Sequence, residues 1–485
     1  VSLRERCGVL GASVGEGQVF PYLYWGMLAQ NHRGHQSHGF ATYAGGLEHY
    51  TELGLIPPLG ERGQEERVRL LPGRVGVANV RYATSGSLDL EARQRDAMPI
   101  LVKGERRSVA ISFNGNIVNV RDLQDRVGVD RSYSDTHALA LLIVRGLEET
   151  GSLEEAARSC MEGIDGSFAV TGVTDDGTLF AFKDPIGVKP LCYGRGDGVH
   201  AFSSESVGLD IDGLDFDHEF QPGELMLVTD GRVTRKQLVE GRRRAFCAFE
   251  FAYFMRPDSR MNGKYVYQAR EEFGRALARV YSEKAVRCDA VISLPETADD
   301  AAYGFHEESG IPWERSTRRH RYVTQRAFIS DAGDRQNVIF RKVNILGPLI
   351  EGKSLAVVDD SIVRGDTTKG TVRRLHDAGA REAHLFITFP RITGPCFYGI
   401  DMATYSELIG ARLGPEEIAS EVGADSVNYL PIDEYVRCTG MGRDQLCLGC
   451  IKGEYPTPMA NELSAKMKAR LKRGEEEKGR IYENR

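Results

Sequence analysis

The sequence predicts two fold classes in one chain: α+β in the first half, with two sheets covered by helices, and α/β in the second, with a doubly wound parallel sheet. From Cys7 to about Val228, short β-rich runs such as RVGVANVRYAT, RRSVAISFNGNIV, GSFAVTGVT and LFAFKDPI alternate with Gly and Asp turns. Only two helical patterns interrupt them, near residues 17–31 and 135–150. Strands that dominate without regular βαβ alternation pack as layered sheets. From about residue 264, long helical stretches beginning with YVYQAREEFGRALARVYSEKA alternate with compact apolar strands, AVISLP, SLAVVDD and AHLFITF. Parallel strands need such crossovers. A length of 485 residues leaves room for two or three domains of about 150 residues.

Between the halves, Thr229 to Ala245 carries the basic run VTRKQLVEGRRR, which reads as a solvated linker. The tail NELSAKMKARLKRGEEEKGR mixes charges with good helix formers and predicts a surface helix that frays. Lys+Arg 62 against Asp+Glu 69 gives a net charge of -7, with no basic excess to attract nucleic acid or anionic lipid. No apolar run approaches the ~20 residues of a membrane span, and VSLRER leads into Cys7 without a signal-like apolar stretch. A cytoplasmic protein is expected. Nine scattered cysteines read as free thiols, ligands or a nucleophile rather than a disulfide framework.

SLAVVDDSIVRGDTTKGTVRRL concentrates the chemistry. An apolar strand ends in Asp359 and Asp360, a loop with Gly365 and hydroxyl side chains follows, and a helix begins near Thr367. At the carboxyl end of a parallel strand, such a loop aims backbone N–H groups and a positive helix end at an anion. The paired carboxylates can bind ribose hydroxyls or retain Mg²⁺. Spacing alone also allows a plain capped turn. The missing GKS or GKT ending disfavours an ordinary NTPase.

VVDDSIVRG resembles the phosphoribosylpyrophosphate (PRPP) signature of type I phosphoribosyltransferases, in the form found in glutamine PRPP amidotransferases. That resemblance implies that Asp359 and Asp360 contact the ribose and Mg²⁺. It also implies that Ser361, Arg364, Gly365, Thr367 and Thr368 hold the 5′-phosphate end, and that Arg321, Tyr322 and Lys342 cover PRPP from the RHRYVTQRAF and RKVN segments. The first half then resembles N-terminal-nucleophile amidotransferases at CGVLG, HRGHQSHG, RYATSG, FNGNIVN, SDTH and KDPIGVKPLCYG. By that similarity Cys7 is the nucleophile, Asn114 and Gly115 form an oxyanion hole, and Arg81, Thr84 and Asp135 bind glutamine. A terminal cysteine would supply both thiol and α-amino base, whose reference pKa is about 7.7–8.0. Cleavage between Arg6 and Cys7 is therefore expected.

LCLGC supplies Cys447 and Cys450, a pair that alone suits zinc, redox chemistry or chance. FCAFEFAYFMRPDS and GPCFYGIDM resemble the iron–sulfur branch of the family and add Cys247 and Cys396. Four thiolates suit a [4Fe–4S] cluster or structural Zn²⁺, and the resemblance favours iron. It implies a propeptide at 1–6, a glutaminase of αββα sandwich fold at 7–230, a linker with cluster ligands at 231–263, a phosphoribosyltransferase at 264–440 and a cluster-binding tail at 441–485. Glutamine and PRPP are the implied substrates, purine nucleotides the implied feedback inhibitors, and a homotetramer or homodimer the implied assembly.

Three departures from the family pattern stand out. Phe113 replaces a usual His, Asp366 replaces a usual Thr after RG, and LPETADDAAYGF places Glu296, Asp299 and Asp300 where a pyrophosphate loop is expected. They leave two alternatives to PRPP amidotransfer: a divergent glutamine-hydrolysing paralogue with another acceptor, or a nonenzymatic PRPP or nucleotide sensor.

Overall fold

The computed structural model describes residues 7–82, 90–241, 243–285, 287–320, 343–475, 477 and 479–480. Thr84, Arg321, Tyr322 and Lys342 lie outside the described residues.

The first half is a four-layer αββα sandwich. One sheet has seven strands in the order Asp215–Glu219, Cys192–Gly196, Val199–Ser203, Gly8–Val14, Val75–Arg81, Ser37–Tyr43 and Leu47–Leu53. The other has six, in the order Arg232–Gln237, Glu224–Thr229, Leu179–Lys183, Gly166–Thr174, Ser108–Ile117 and Ile100–Lys103. Val9, Val77, Ala110, Ala169, Leu179 and Met226 fill the space between them. Leu10 and Ala12, pointing the other way from the same strand as Val9, pack under the helix Phe20–Leu28. The helices Val120–Val127, Asp135–Thr150 and Leu153–Gly163 cover the outer face of the second sheet. GVLGASV is buried on both faces, which explains its continuous apolar reading.

Asp135–Thr150 begins and ends within the pattern expected at 135–150, but other helices had no sequence expectation. Glu61–Leu70 buries no residue and so offers no apolar stripe to read. Leu153–Gly163 carried an overlooked start signal: the Ser152 hydroxyl accepts the Glu155 N–H at 3.3 Å. The basic segment is also more than a linker. Arg232–Gln237 pairs along Glu224–Thr229 as a fully exposed, charged edge strand, a composition that discourages pairing with another chain.

The second half holds a parallel sheet in the order Ala290–Ser293, Ser354–Asp359, Glu382–Ile387 and Ser426–Tyr429. Helices cover both faces. On one, Val266–Val280 and Asp299–Ser309 approach backbone to backbone, because a Cβ on Gly274 would lie 1.8 Å from the Ala301 carbonyl oxygen. On the other, Asp366–Asp377 and Pro415–Val422 pack over Leu355, Val357 and Leu385. One apolar core continues from this sheet into the first half, joining Phe386 and Phe389 to Phe249, Phe397, Val118 and Val188. Among the described residues no helix is long and apolar enough to cross a membrane.

Candidate active site

Cys7 precedes the central strand of the seven-stranded sheet, where Gly8 pairs with Val80. Its thiol lies 3.6 Å from the Tyr82 carbonyl oxygen. Burial pushes the thiol pKa up, and the nearby cations Arg81 and Lys189 oppose that rise. The Cys7 carbonyl accepts from Arg33 Nε at 3.3 Å. Arg33 is itself fully buried, with Nη2 2.9 Å from Glu250 Oε1 and Nη1 paired with Glu205. Glu205 also accepts from His32 at 2.8 Å, the Arg256 N–H at 2.9 Å and the Ser259 hydroxyl at 2.7 Å.

Burial alone would raise the Glu205 pKa, but His32 and Arg33 hold its carboxyl far below the usual range. A depressed carboxylate stabilises the fold above its unfolded pKa of about 4.3 and loses that contribution as pH falls below it. Glu205→Gln should therefore destabilise the protein at pH 7 by about 1.5–3 kcal/mol, the worth of a hydrogen bond to a charged group, while Arg33 keeps Glu250 as its counter-ion. The difference from wild type in urea titrations should shrink below about pH 4. An unchanged denaturation midpoint at pH 7 would refute the role of this network.

Across the sandwich, the strand Ser108–Ile117 carries Asn114 and Gly115. Asn114 is 1% exposed, yet among the described residues neither Nδ2 nor Oδ1 has a hydrogen-bond partner. A buried amide left open on both atoms costs the fold and marks a place kept for a ligand. Gly115 must be glycine, since an added Cβ would lie 2.3 Å from the Ser167 carbonyl oxygen. Asp135, at the start of its helix, is 6% exposed. It accepts the Ile117 N–H at 3.3 Å and the Thr136 N–H at 2.8 Å. Burial pushes its pKa up, while Arg81 and Arg480 pull it down. Arg81 is also buried, 3.3 Å from Gln36 Oε1 and 3.9 Å from Asp96. A buried cation, a buried carboxylate and an open amide around one thiol suit a zwitterionic amino acid with a side-chain amide. Phe113 sits in the core beneath this strand, so the substitution for His leaves these groups in place.

The second centre lies at the end of Ser354–Asp359. Asp359 Oδ1 accepts the Asp360 N–H at 2.9 Å, and the Ser361 hydroxyl donates to Asp360 at 2.5 Å. Burial, then the charge of Asp360, raises the Asp359 pKa, and burial raises that of Asp360. Gly365 caps the helix Asp366–Asp377 with φ 92, a left-handed value that favours glycine. Thr367 and Thr368 follow in the first turn, with Thr368 buried. Asp366 is exposed, so its carboxylate need not face the loop, and Lys369 pairs with Glu421 at 3.2 Å.

Arg364, in the same loop, donates from Nε to Glu407 at 2.8 Å. The acids at 296–300 are also partly engaged by the protein. Glu296 pairs with Arg319 at 2.7 Å, and Asp299 accepts from Ser293 at 2.5 Å. Asp300 is raised to about 6 by burial, with Arg270 opposing. A cleft of about 230 Å³ beside them is lined by Arg315, Arg318 and Arg319, cations suited to a polyphosphate.

Cys247 and Cys447 are register partners in a short parallel pair, Phe246–Cys247 with Leu446–Cys447. The Cys450 carbonyl accepts the Thr393 N–H at 2.8 Å, three residues before Cys396. Burial raises the Cys450 thiol, followed by the proximity of Cys447, Cys396 and Cys247. The four lie in one region, although among the described residues no group of three or more His, Cys, Asp or Glu side chains is arranged to hold a metal ion. Cys160, Cys192, Cys288 and Cys438 are buried elsewhere.

Residues 86–210 match the family model described as a glutamine amidotransferase domain. The chain is 36% identical over 464 residues to the amidophosphoribosyltransferase of Archaeoglobus fulgidus, covering 94% of this chain and 99% of that one. The chain belongs to the amidophosphoribosyltransferase family. The Bacillus subtilis amidophosphoribosyltransferase is 33% identical, with 94% of this chain and 95% of that one covered. A solved structure of the B. subtilis glutamine PRPP amidotransferase, complexed with ADP and GMP, superposes with a TM-score of 0.83 at 32% identity. It covers 93% of this chain and 98% of that one.

The enzyme converts PRPP, glutamine and water to 5-phosphoribosylamine, glutamate and pyrophosphate, the first committed step of purine synthesis. Its two centres correspond to the glutaminase and the phosphoribosyltransferase halves. The sensor and changed-acceptor alternatives give way to this activity. Asn116, Lys189 and Arg33 belong to the surroundings of the first centre but had no individual sequence assignment. All three lie in segments that resemble the amidotransferases, FNGNIVN, KDPIGVKPLCYG and HRGHQSHG, which could have flagged them.

Proposed function

We propose that Cys7 is the nucleophile of glutamine hydrolysis and that its own α-amino group, freed by cleavage after Arg6, is the general base. The thiol proton passes to that amine as sulfur attacks the amide carbon. The Asn114 side chain and the Gly115 N–H stabilise the oxyanion, ammonia leaves with the returned proton, and water hydrolyses the thioester to glutamate. Arg81 pairs with the α-carboxylate of glutamine and Asp135 with its α-ammonium; Thr84 joins them. The observation that carries this assignment is the Asn114 amide, buried with both atoms open beside Gly115.

Ammonia then passes internally to PRPP and displaces pyrophosphate at C1. Asp359 and Asp360 hold the ribose hydroxyls and the Mg²⁺ that accompanies PRPP. Ser361, Arg364, Gly365, Thr367 and Thr368 hold the 5′-phosphate end through hydroxyls, helix N–H groups and the guanidinium that Glu407 steadies. The resemblance assigns Arg321, Tyr322 and Lys342 to PRPP as well. Bound Mg²⁺ supplies charge neutralisation of the pyrophosphate leaving group.

Cys247, Cys396, Cys447 and Cys450 fit the donor set of a [4Fe–4S] cluster, which would crosslink the interdomain segment, the 396–402 turn and the tail. ADP and GMP bound to the B. subtilis neighbour support purine nucleotides as feedback inhibitors. A cytoplasmic setting accords with the enzyme family.

Anaerobically prepared enzyme tests these assignments together. PRPP-dependent pyrophosphate release is expected with glutamine and with ammonia, the intact mass should begin at Cys7, and about four irons per chain should be found. Active enzyme retaining residues 1–6 would overturn the base assignment, and zinc in place of iron would overturn the cluster.

A further inference from the structure

Beyond the helix Pro458–Lys472, the chain returns to the glutaminase centre. Arg480 is only 6% exposed. Its Nη1 donates to Asn116 Oδ1 at 3.0 Å, and its Nη2 donates to the Ile400 carbonyl at 3.1 Å. One guanidinium thus bridges the two halves of the molecule, linking positions 364 residues apart in sequence. The other end of the Asn116 amide is also fastened, with Nδ2 donating to the Phe397 carbonyl at 2.9 Å. Asn116 is therefore held at both its donor and its acceptor by the second half.

Asn116 follows Gly115 directly, and the turn carrying Phe397 and Ile400 rests on the same point. A Cβ built on Gly399 would lie 2.9 Å from Lys189 Nζ and 3.1 Å from the Gly115 carbonyl oxygen. The orientation of the Gly115 peptide is thus set from behind by Ser167 and Phe168, in front by Gly399, and along the strand by the clamped Asn116. The turn in turn is braced by Glu407, which accepts the Ala403 N–H at 2.5 Å and the Thr404 N–H at 2.8 Å. Burying a guanidinium costs several kcal/mol of hydration, which its bonds must offset.

We propose that Arg480 is a positioning residue for glutamine hydrolysis. It locks Asn116 between the two halves and so aims the Gly115 N–H and the Asn114 amide at the developing oxyanion. The inference rests on the oxyanion assignment made above. Misaimed donors weaken the transition state more than the bound substrate, so the loss should fall on kcat. The glutamine KM should not rise, because removing a cation near Asp135 does not weaken its hold on the substrate ammonium.

The test is steady-state kinetics of Arg480→Ala, Arg480→Gln and Arg480→Lys in the full-length enzyme, with thermal unfolding measured alongside. For Arg480→Ala, kcat for glutamine hydrolysis should fall about tenfold or more, with KM within about threefold and ammonia-dependent synthesis unchanged, a fold-change of roughly 1.4 kcal/mol per tenfold. Arg480→Lys should recover part of the loss, since its ammonium can still reach one of the two oxygens. Unchanged hydrolysis in Arg480→Ala would overturn the proposal. So would a parallel loss of ammonia-dependent synthesis or a raised glutamine KM, either of which marks general damage. If the alanine variant does not fold, Arg480→Gln carries the same criteria. Asn114→Ala separates the two levels: normal hydrolysis there would refute the oxyanion assignment itself, whereas a lost activity there with normal Arg480→Ala kinetics would refute only the role of Arg480.

Discussion

Asn114→Ala should lower glutamine hydrolysis by roughly 10²–10³-fold, equivalent to about 2.7–4 kcal/mol of lost oxyanion stabilisation. Ammonia-dependent synthesis of phosphoribosylamine should remain near the wild-type rate, because that reaction bypasses the first centre. The glutamine KM should change little if, as proposed, Arg81 and Asp135 rather than Asn114 engage the two charged ends of the substrate. The fold should tolerate the change. Among the described residues neither amide atom of Asn114 is hydrogen-bonded, so truncation strands no partner there, and removing a buried open amide offsets part of the lost packing. Steady-state assays with each nitrogen source, together with the unfolding midpoint, check all three expectations. A loss confined to KM would move Asn114 from oxyanion stabilisation to ground-state binding.

This dependence on one open amide also explains which parts of the enzyme could be read from sequence. Asn114, Gly115, Asp359 and Asp360 lie in short contiguous segments whose local conformation sets their direction: a strand that cannot take a Cβ at 115, and a parallel strand running into a helix N-terminus capped by Gly365. The layered halves were legible for a similar reason, because period-two and helical patterns are local. What the sequence hid is long-range. Arg33 meets Glu205 and Glu250 across 172 and 217 residues, and no spacing rule connects HRG with those acids. Arg364 stands in the PRPP signature, and the signature gives no sign that its Nε also meets Glu407, 43 residues on. The tail was expected only as a fraying helix, and Arg480 follows that helix into the glutaminase half. In each case the partner is chosen by tertiary packing of charges out of water, a selection that composition and periodicity do not encode.

The same cost of buried charge makes Asp359→Asn the other large expected effect. Both members of the pair are half-buried, and Asp359 is destabilised as an anion first by burial and then by Asp360. A carboxyl whose folded pKa is raised makes the unliganded fold less stable as pH rises through that pKa. Protonation restores stability as pH falls toward the unfolded value of about 3.9. Asparagine cannot ionise, so the unliganded variant should be more stable than wild type at pH 8, and the advantage should diminish toward pH 5. A gain of ~1 kcal/mol would raise Tm by about 2–4 °C for a domain of this size. PRPP chemistry should suffer in the opposite sense: hydrogen bonds to a charged acceptor are worth about 1.5–3 kcal/mol each, so kcat/KM for PRPP with ammonia should drop on the order of 10²-fold. Glutamine hydrolysis measured without PRPP should be unaffected. The two readouts must move apart, because acids held together against repulsion stabilise a bound ligand at the expense of the empty fold. A variant that lost stability while keeping PRPP turnover would show that Asp359 braces the strand end and that the sugar is held elsewhere.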